Sequence, residues 1–159
     1  MPLTAAEIMT RDVVTARPED PVAKVAKVLT DHEISAVPVC DEQGRLLGML
    51  SEGDLMRPFG QENALKRAWW LNLLAEGTDL APAFVDYVRL DHRMARDLMA
   101  TPVITAREDT NLAELADLLA RHRIKRVPIM REGKLVGVVS RADVVRALAR
   151  KPDAVVEPI

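Results

Sequence analysis

The chain has 159 residues, 48% of them apolar and only 3% aromatic, with a formal net charge of -2. That length makes one compact unit or two small interdependent ones, with a core built from Val, Leu, Ile, Ala and Met. The charge gives no global case for nucleic acid or an anionic membrane, the lone cysteine excludes an internal disulfide and a thiolate metal set, and nothing resembles a signal peptide or approaches the ~20 apolar residues of a membrane span, so a cytoplasmic location is expected.

Thr4-Ala5-Ala6-Glu7 has the form of a capping box and predicts a short helix carrying Ile8 and Met9. Val13-Val14-Thr15 reads as a brief extended segment. Asp20-Pro21 supplies an N-cap and a first-turn proline to a helix whose apolar stripe is Val22, Val25, Ala26 and Leu29. Two apolar strands follow, Val37-Pro38-Val39-Cys40 and Leu46 to Ser51, then a short helix around Asp54 to Arg57 that Pro58 and Gly60 should close. Over residues 61–92 the pattern predicts one helix from Glu62 to Ala75, with Trp69 and Trp70 on adjoining faces, and another carrying Leu80, Phe84, Val85 and Val88. These aromatics either cover the insert's own contact with the rest of the chain or form a subunit interface.

The second half runs through the same order. Ala95 to Met99 is a short helix and Val103-Ile104-Thr105 an extended piece. Asp109-Thr110-Asn111 caps a helix with Leu112, Leu115, Ala116 and Leu119 inward. Val127-Pro128-Ile129-Met130 and Leu135 to Ser140 flank a tight connection at Arg131-Glu132-Gly133-Lys134. Arg141 to Arg150 is a last helix with apolar residues at 144, 145 and 148, and Lys151 to Ile159, with two prolines and no periodicity, reads as a loose tail.

The halves are copies. Laying 5–42 on 95–132 and 44–57 on 133–146 gives 20 identities, far beyond chance over that length. The organisation read from this is a repeat over 1–60, a helical insert over 61–92, a second repeat over 93–150 and a flexible tail over 151–159.

Each repeat closes on Gly-x-x-Ser-x-x-Asp: Gly48, Ser51, Asp54 and Gly137, Ser140, Asp143. A hydroxyl and a carboxylate thus sit where a strand gives way to the first turn of a helix, beside unpaired N–H groups and the positive end of the dipole. Such a corner can hold an anion while the carboxylate accepts from sugar hydroxyls. The bland alternative is that the serines cap the helices and the aspartates only complement the dipole. Cys40, inside an apolar strand with Met130 as its counterpart, reads as a buried hydrophobe; His32 and His122 match each other and form no metal set.

These residues, behind Val37-Pro38-Val39 and Val127-Pro128-Ile129, resemble a tandem pair of cystathionine-β-synthase (CBS) domains, a Bateman module, over roughly 5–57 and 95–150. The resemblance implies an α+β fold of two β-α-β-β-α repeats packed sheet to sheet about a pseudo-twofold axis. It also implies two clefts for adenosine-containing ligands (AMP, ADP, ATP, S-adenosylmethionine or NAD) and pairing of modules into a homodimer. By that resemblance, Asp54 and Asp143 accept from ribose hydroxyls, Ser51 and Ser140 donate to phosphate, and the segments ending at Thr15 and Thr105 line the adenine pocket. Ile34 to Pro38, with Ala36 and Val37, and Ile124 to Pro128, with Val127, form the opposing walls. The insert is also similar to that of bacterial CBS proteins that often carry a C-terminal BON domain, for which residues 151–159 are too few.

The copies differ in charge. The second has Lys125, Arg126 and Arg141 where the first has Ser35, Ala36 and Glu52. Near a phosphate the former are cationic and bidentate donors and the latter a repelling carboxylate, so the second cleft is expected to take the phosphorylated ligand. Lys125-Arg126 alternatively reads as a solvated pair. The leading reading is a ligand sensor without catalytic cofactor or activity, read by a separate regulated protein or by another copy of the chain; no nucleophile–base set speaks for an enzyme. The alternative is a structural dimerisation unit with vestigial clefts.

Overall fold

The computed structural model describes residues 3–61 and 93–155; the insert helices expected over 62–75 and around Leu80 to Val88, with their aromatics, lie outside the described residues. Helix α1 (Ala5–Ile8) follows Thr4, whose hydroxyl donates to Glu7 Oε1 at 3.2 Å instead of accepting a backbone N–H, so the predicted capping box does not form. Helix α2 (Val22–Asp31) buries Val25 and Leu29, as the three-to-four spacing requires. Its N-cap is Pro21, not Asp20: the Asp20 carboxylate lies one residue too early and accepts from the Arg17 N–H at 2.9 Å.

Strands β1 (Ala36–Cys40) and β2 (Leu46–Ser51) form a two-stranded sheet. Asp41 builds their turn, its Oδ1 accepting from the N–H groups of Gln43 and Arg45, both at 2.9 Å. Helix α3 (Glu52–Gln61) runs past Pro58 and Gly60, where the sequence predicts a stop. Proline forfeits one backbone bond there, yet its φ is already helical.

The second repeat contributes α4 (Ala95–Leu98), β3 (Ala106–Arg107), α5 (Leu112–Arg121), β4 (Arg126–Arg131), β5 (Lys134–Ser140) and α6 (Arg141–Arg150). Strand β3 is parallel to β4, and β5 antiparallel to it. In the first repeat the counterpart of β3 is the single parallel bridge Ala16↔Val39. Pairing therefore begins directly after Thr15 and Thr105. Asn111 caps α5 as predicted, its side chain accepting from the Glu114 N–H at 2.9 Å, and α5 buries Leu112, Leu115 and Leu119. Glu132 and Gly133 both have positive φ, 50° and 79°, the conformation of a two-residue hairpin loop.

Helix α6 corrects the predicted stripe. It buries Asp143, Val144 and Ala147, while Val145 is 63% and Leu148 36% exposed. The inward face includes a carboxylate because each of its oxygens accepts a hydrogen bond, one from the Ser140 N–H and one from Arg146. Within the expected tail, Pro152–Val155 forms a 3-10 turn against α5 and α6.

The compact units do not follow the repeats. Among the described residues one unit comprises 3–15, 40–47 and 102–155, and the other 16–39, 48–61 and 93–101. Each repeat's lead segment is thus built into the core of the other repeat. In the first unit the Ala5 N–H donates to Thr110 O at 2.8 Å, Leu112 N–H to Leu3 O at 2.9 Å, and Thr10 and Val138 exchange bonds of 2.9 and 3.0 Å. The second unit repeats the pattern: Ala95 N–H to Asp20 O at 2.8 Å, Val22 N–H to Arg93 O at 3.2 Å, and Met49 with Ala100 at 3.1 and 2.8 Å. The first unit's core joins Leu3, Ala5 and Met9 to Leu112, Leu115, Leu119, Val127, Ile129, Val139 and Val144.

One ion pair ties the α5 approach to the end of β4. The Arg131 guanidinium donates twice to the Glu108 carboxylate, Nη2 to Oε2 at 2.7 Å, and holds that carboxyl below its usual range. A carboxyl depressed in the folded state adds stability above its unfolded pKa, and that stability is lost as pH falls through the folded value. Glu108→Gln should therefore lower the urea midpoint at pH 7 and leave it near wild type at strongly acid pH; a deficit that persists in acid would refute the linkage.

Candidate functional site

The β4–β5 register assembles the second corner. Arg126 lies opposite Ser140, Val127 opposite Val139 and Pro128 opposite Val138, and the parallel pair Ala106↔Ile129 brings Thr105 level with Pro128. Two bonds fix the cationic rim: the Arg141 N–H donates to Lys125 O and Arg141 Nε to Ile124 O, both at 3.0 Å. Thr105, Lys125, Arg126, Ser140, Arg141 and Asp143 thus share one end of the sheet. Lys125, Thr105 and Arg141 are exposed there and Arg126 and Ser140 half-buried. Val127 and Pro128 are fully buried, backbone as well as side chain, so neither presents a surface to a ligand at this corner.

Ser140 is the N-cap of α6. Its Oγ accepts from the Asp143 N–H at 3.2 Å, while Asp143 Oδ2 accepts from the Ser140 N–H at 2.8 Å. Asp143 Oδ1 accepts from Arg146 Nη2 at 2.6 Å, and the aspartate is 9% exposed. The reciprocal cap satisfies two helix-start N–H groups, and the ion pair offsets the cost of burying the charge.

The first corner has the same frame with different chemistry. The Ser51 N–H and Oγ both donate to Asp54 Oδ2, at 2.9 and 3.0 Å, and Arg57 pairs with Asp54 Oδ1. The Glu52 N–H donates to Ser35 O at 2.9 Å, the counterpart of Arg141 on Lys125, so an exposed carboxylate replaces a guanidinium. Ala36, Val37 and Pro38 are all buried in β1. Thr15 falls in the other compact unit from Ser51 and Asp54. Arg57 and Arg146 were the residues the sequence reading missed; both stand three positions after an aspartate and are identical between the repeats, which was the available signal.

A family model of the CBS domain matches residues 5–59 and 95–150, most of the chain. The chain belongs to the CBS-domain family. Its fold is similar to the CBS-domain protein CBSX2 solved in complex with AMP, with 25% identity, a TM-score of 0.71 and coverage of 94% of this chain and 98% of that one. It is also similar to the CBS domain pair of protein MJ0100 solved with 5-methylthioadenosine and S-adenosyl-L-methionine, at 22% identity and a TM-score of 0.68, over 95% of this chain and 99% of that one; at that identity the likeness is one of fold. An uncharacterized protein of Methanopyrus kandleri is 27% identical over 145 residues, 91% of this chain and 62% of its own length, so the chain spans less than two thirds of that relative. Among the described residues no group of three or more His, Cys, Asp or Glu converges as a metal set, and no helix is long and apolar enough to cross a membrane.

Proposed function

We propose that this CBS pair is a non-catalytic sensor of an adenosine-containing ligand, and that its second corner takes the phosphorylated form. The observation that carries the reading is the corner itself: Arg141 tied to the backbone of Ile124 and Lys125, with Ser140 and Asp143 at the adjoining helix start. The AMP complex of the 25%-identical CBSX2 supports the ligand class. A carboxylate has about four acceptor sites. Asp143 uses two of them and Asp54 three, so Asp143 keeps more capacity for ribose hydroxyls. Glu52 sets a negative charge where a phosphate would approach the first corner, which therefore suits a neutral nucleoside or nothing.

A sensor acts through a difference in ligand affinity between two arrangements, read by another protein or another copy. A homodimer in the cytoplasm is the assembly we favour. Met56 and Val145, equivalent positions in the two repeats, are 64% and 63% exposed, and a second copy would cover such a repeated apolar pair.

Calorimetry with AMP tests the reading. Asp143→Ala should weaken AMP about tenfold or more, a charge-assisted bond being worth ~1.5–3 kcal/mol, and Asp54→Ala less than about twofold. Equal losses would overturn the asymmetry. If AMP, ATP and S-adenosylmethionine all leave the melting temperature unmoved, the sensor reading falls to the alternative, a dimerisation module with vestigial clefts, since saturation at ~100 times Kd adds roughly 2.7 kcal/mol.

A further inference from the structure

A concavity of about 320 Å³ opens between α1 and α6 in the first compact unit. Its floor is apolar: Leu3 and Ala147 are buried and Ile8 half-buried. None of Thr105, Lys125, Arg126, Ser140 or Arg141 lines it. Asp143 and Arg146 reach it, but their charges are spent on each other at 2.6 Å. What remains on the rim is Arg150 and Lys151, both exposed and without an ion pair among the described residues, facing the single carboxylate of Glu7.

The internal repeat acts as a control. Asp143 and Arg146 recur as Asp54 and Arg57, as a structural cap and ion pair should. Arg150 and Lys151 correspond to Gln61 and Glu62, so this cation pair exists in one copy only. We infer that the α1–α6 pocket binds an amphipathic monocarboxylate, its apolar body on Leu3, Ile8 and Ala147 and its head between Arg150 and Lys151. An arginine fork matches a carboxylate bidentately. Glu7 and the negative end of the α6 dipole oppose multiply charged groups, so one negative charge fits better than a polyphosphate. A dry apolar floor with few polar groups at the rim is the usual build of a small-molecule site.

The probe is octanoate, followed by amide chemical shifts of the full chain. Saturable shifts at Ile8, Ala147 and Arg150 are expected in the low-millimolar range. The Arg150→Glu/Lys151→Glu variant should weaken binding about tenfold or more, and Glu7→Gln should tighten it several-fold by removing the repulsion. Both sets of side chains are exposed, so the fold should persist, which circular dichroism checks. Octanol binding as well as octanoate, shifts confined to 103–105 and 124–128, or an undiminished affinity in the double charge reversal would each overturn the inference.

Discussion

A chain that begins at Arg11 should lose the cooperative unfolding of its second repeat. Residues 3–10 bring Leu3, Ala5 and Met9 into a core otherwise made by β3, α5, β4, β5 and α6, and they contribute the paired bonds between Thr10 and Val138. Removing one buried Leu or Met costs about 2–5 kcal/mol. Losing both, with the bonds, reaches ~5 kcal/mol or more, comparable to the whole stability of a small domain. Hydrogen exchange locates the damage: protection should collapse over 112–121 and 126–140, although the deletion lies in the first repeat by sequence. A peptide of residues 1–12 added in trans should restore part of it. If the truncated chain unfolds at the wild-type urea midpoint, the exchanged lead segment is not part of the core.

This exchange is the part of the fold that the sequence conceals. Within each element the pattern was legible, because Val25 and Leu29, or Leu112, Leu115 and Leu119, are spaced at the helical period and need no distant partner to be read. Duplication likewise announced the repeat unit. Which copy a lead segment joins is decided by contacts about a hundred residues away, and Ala5 looks no different whether it meets Asp20 or Thr110. The stop expected at Pro58 failed for a related reason: proline raises the cost of a helix locally, and the rest of α3 sets whether that cost is met. At the corner, Ser140, Arg141 and Asp143 were legible as a group because the motif fixes them in sequence. The buried state of Val127 and Pro128 was not, since whether a short apolar strand is covered on one face or both is decided by its packing partners. Asp143 faces inward on α6 beside Val144 and Ala147, its carboxylate held by the Ser140 N–H and Arg146, while Val145 and Leu148 face out, and that choice of face is not written in the apolar spacing.

Gly137→Ala should destabilise the chain by about 1–3 kcal/mol, and Gly137→Val by more, through overpacking against Met9. A Cβ at Gly137 would meet Met9 Sδ and lie 2.8 Å from its Cγ and 3.1 Å from its Cβ; a new rotamer can move Sδ and Cγ only by repacking the core, and the Cβ stays tight in any rotamer. Gly48 stands in the same relation to Met99, whose Cγ and Cβ would be 2.8 and 3.0 Å away. The first position of each Gly-x-x-Ser-x-x-Asp motif is therefore a seat for the methionine of the exchanged lead segment, and the serine and aspartate alone belong to the corner. A double-mutant cycle isolates this: Gly137→Ala combined with Met9→Ala should cost less than the sum of the two, by ~1 kcal/mol or more, because the added methyl enters the space the thioether leaves. Gly133 supplies the contrast, having a φ of 79° and open space around it, so Gly133→Ala carries a backbone cost that Met9→Ala cannot relieve. Strict additivity at Gly137 in urea titrations, matching that at Gly133, would mean the glycine serves the strand and not its visitor.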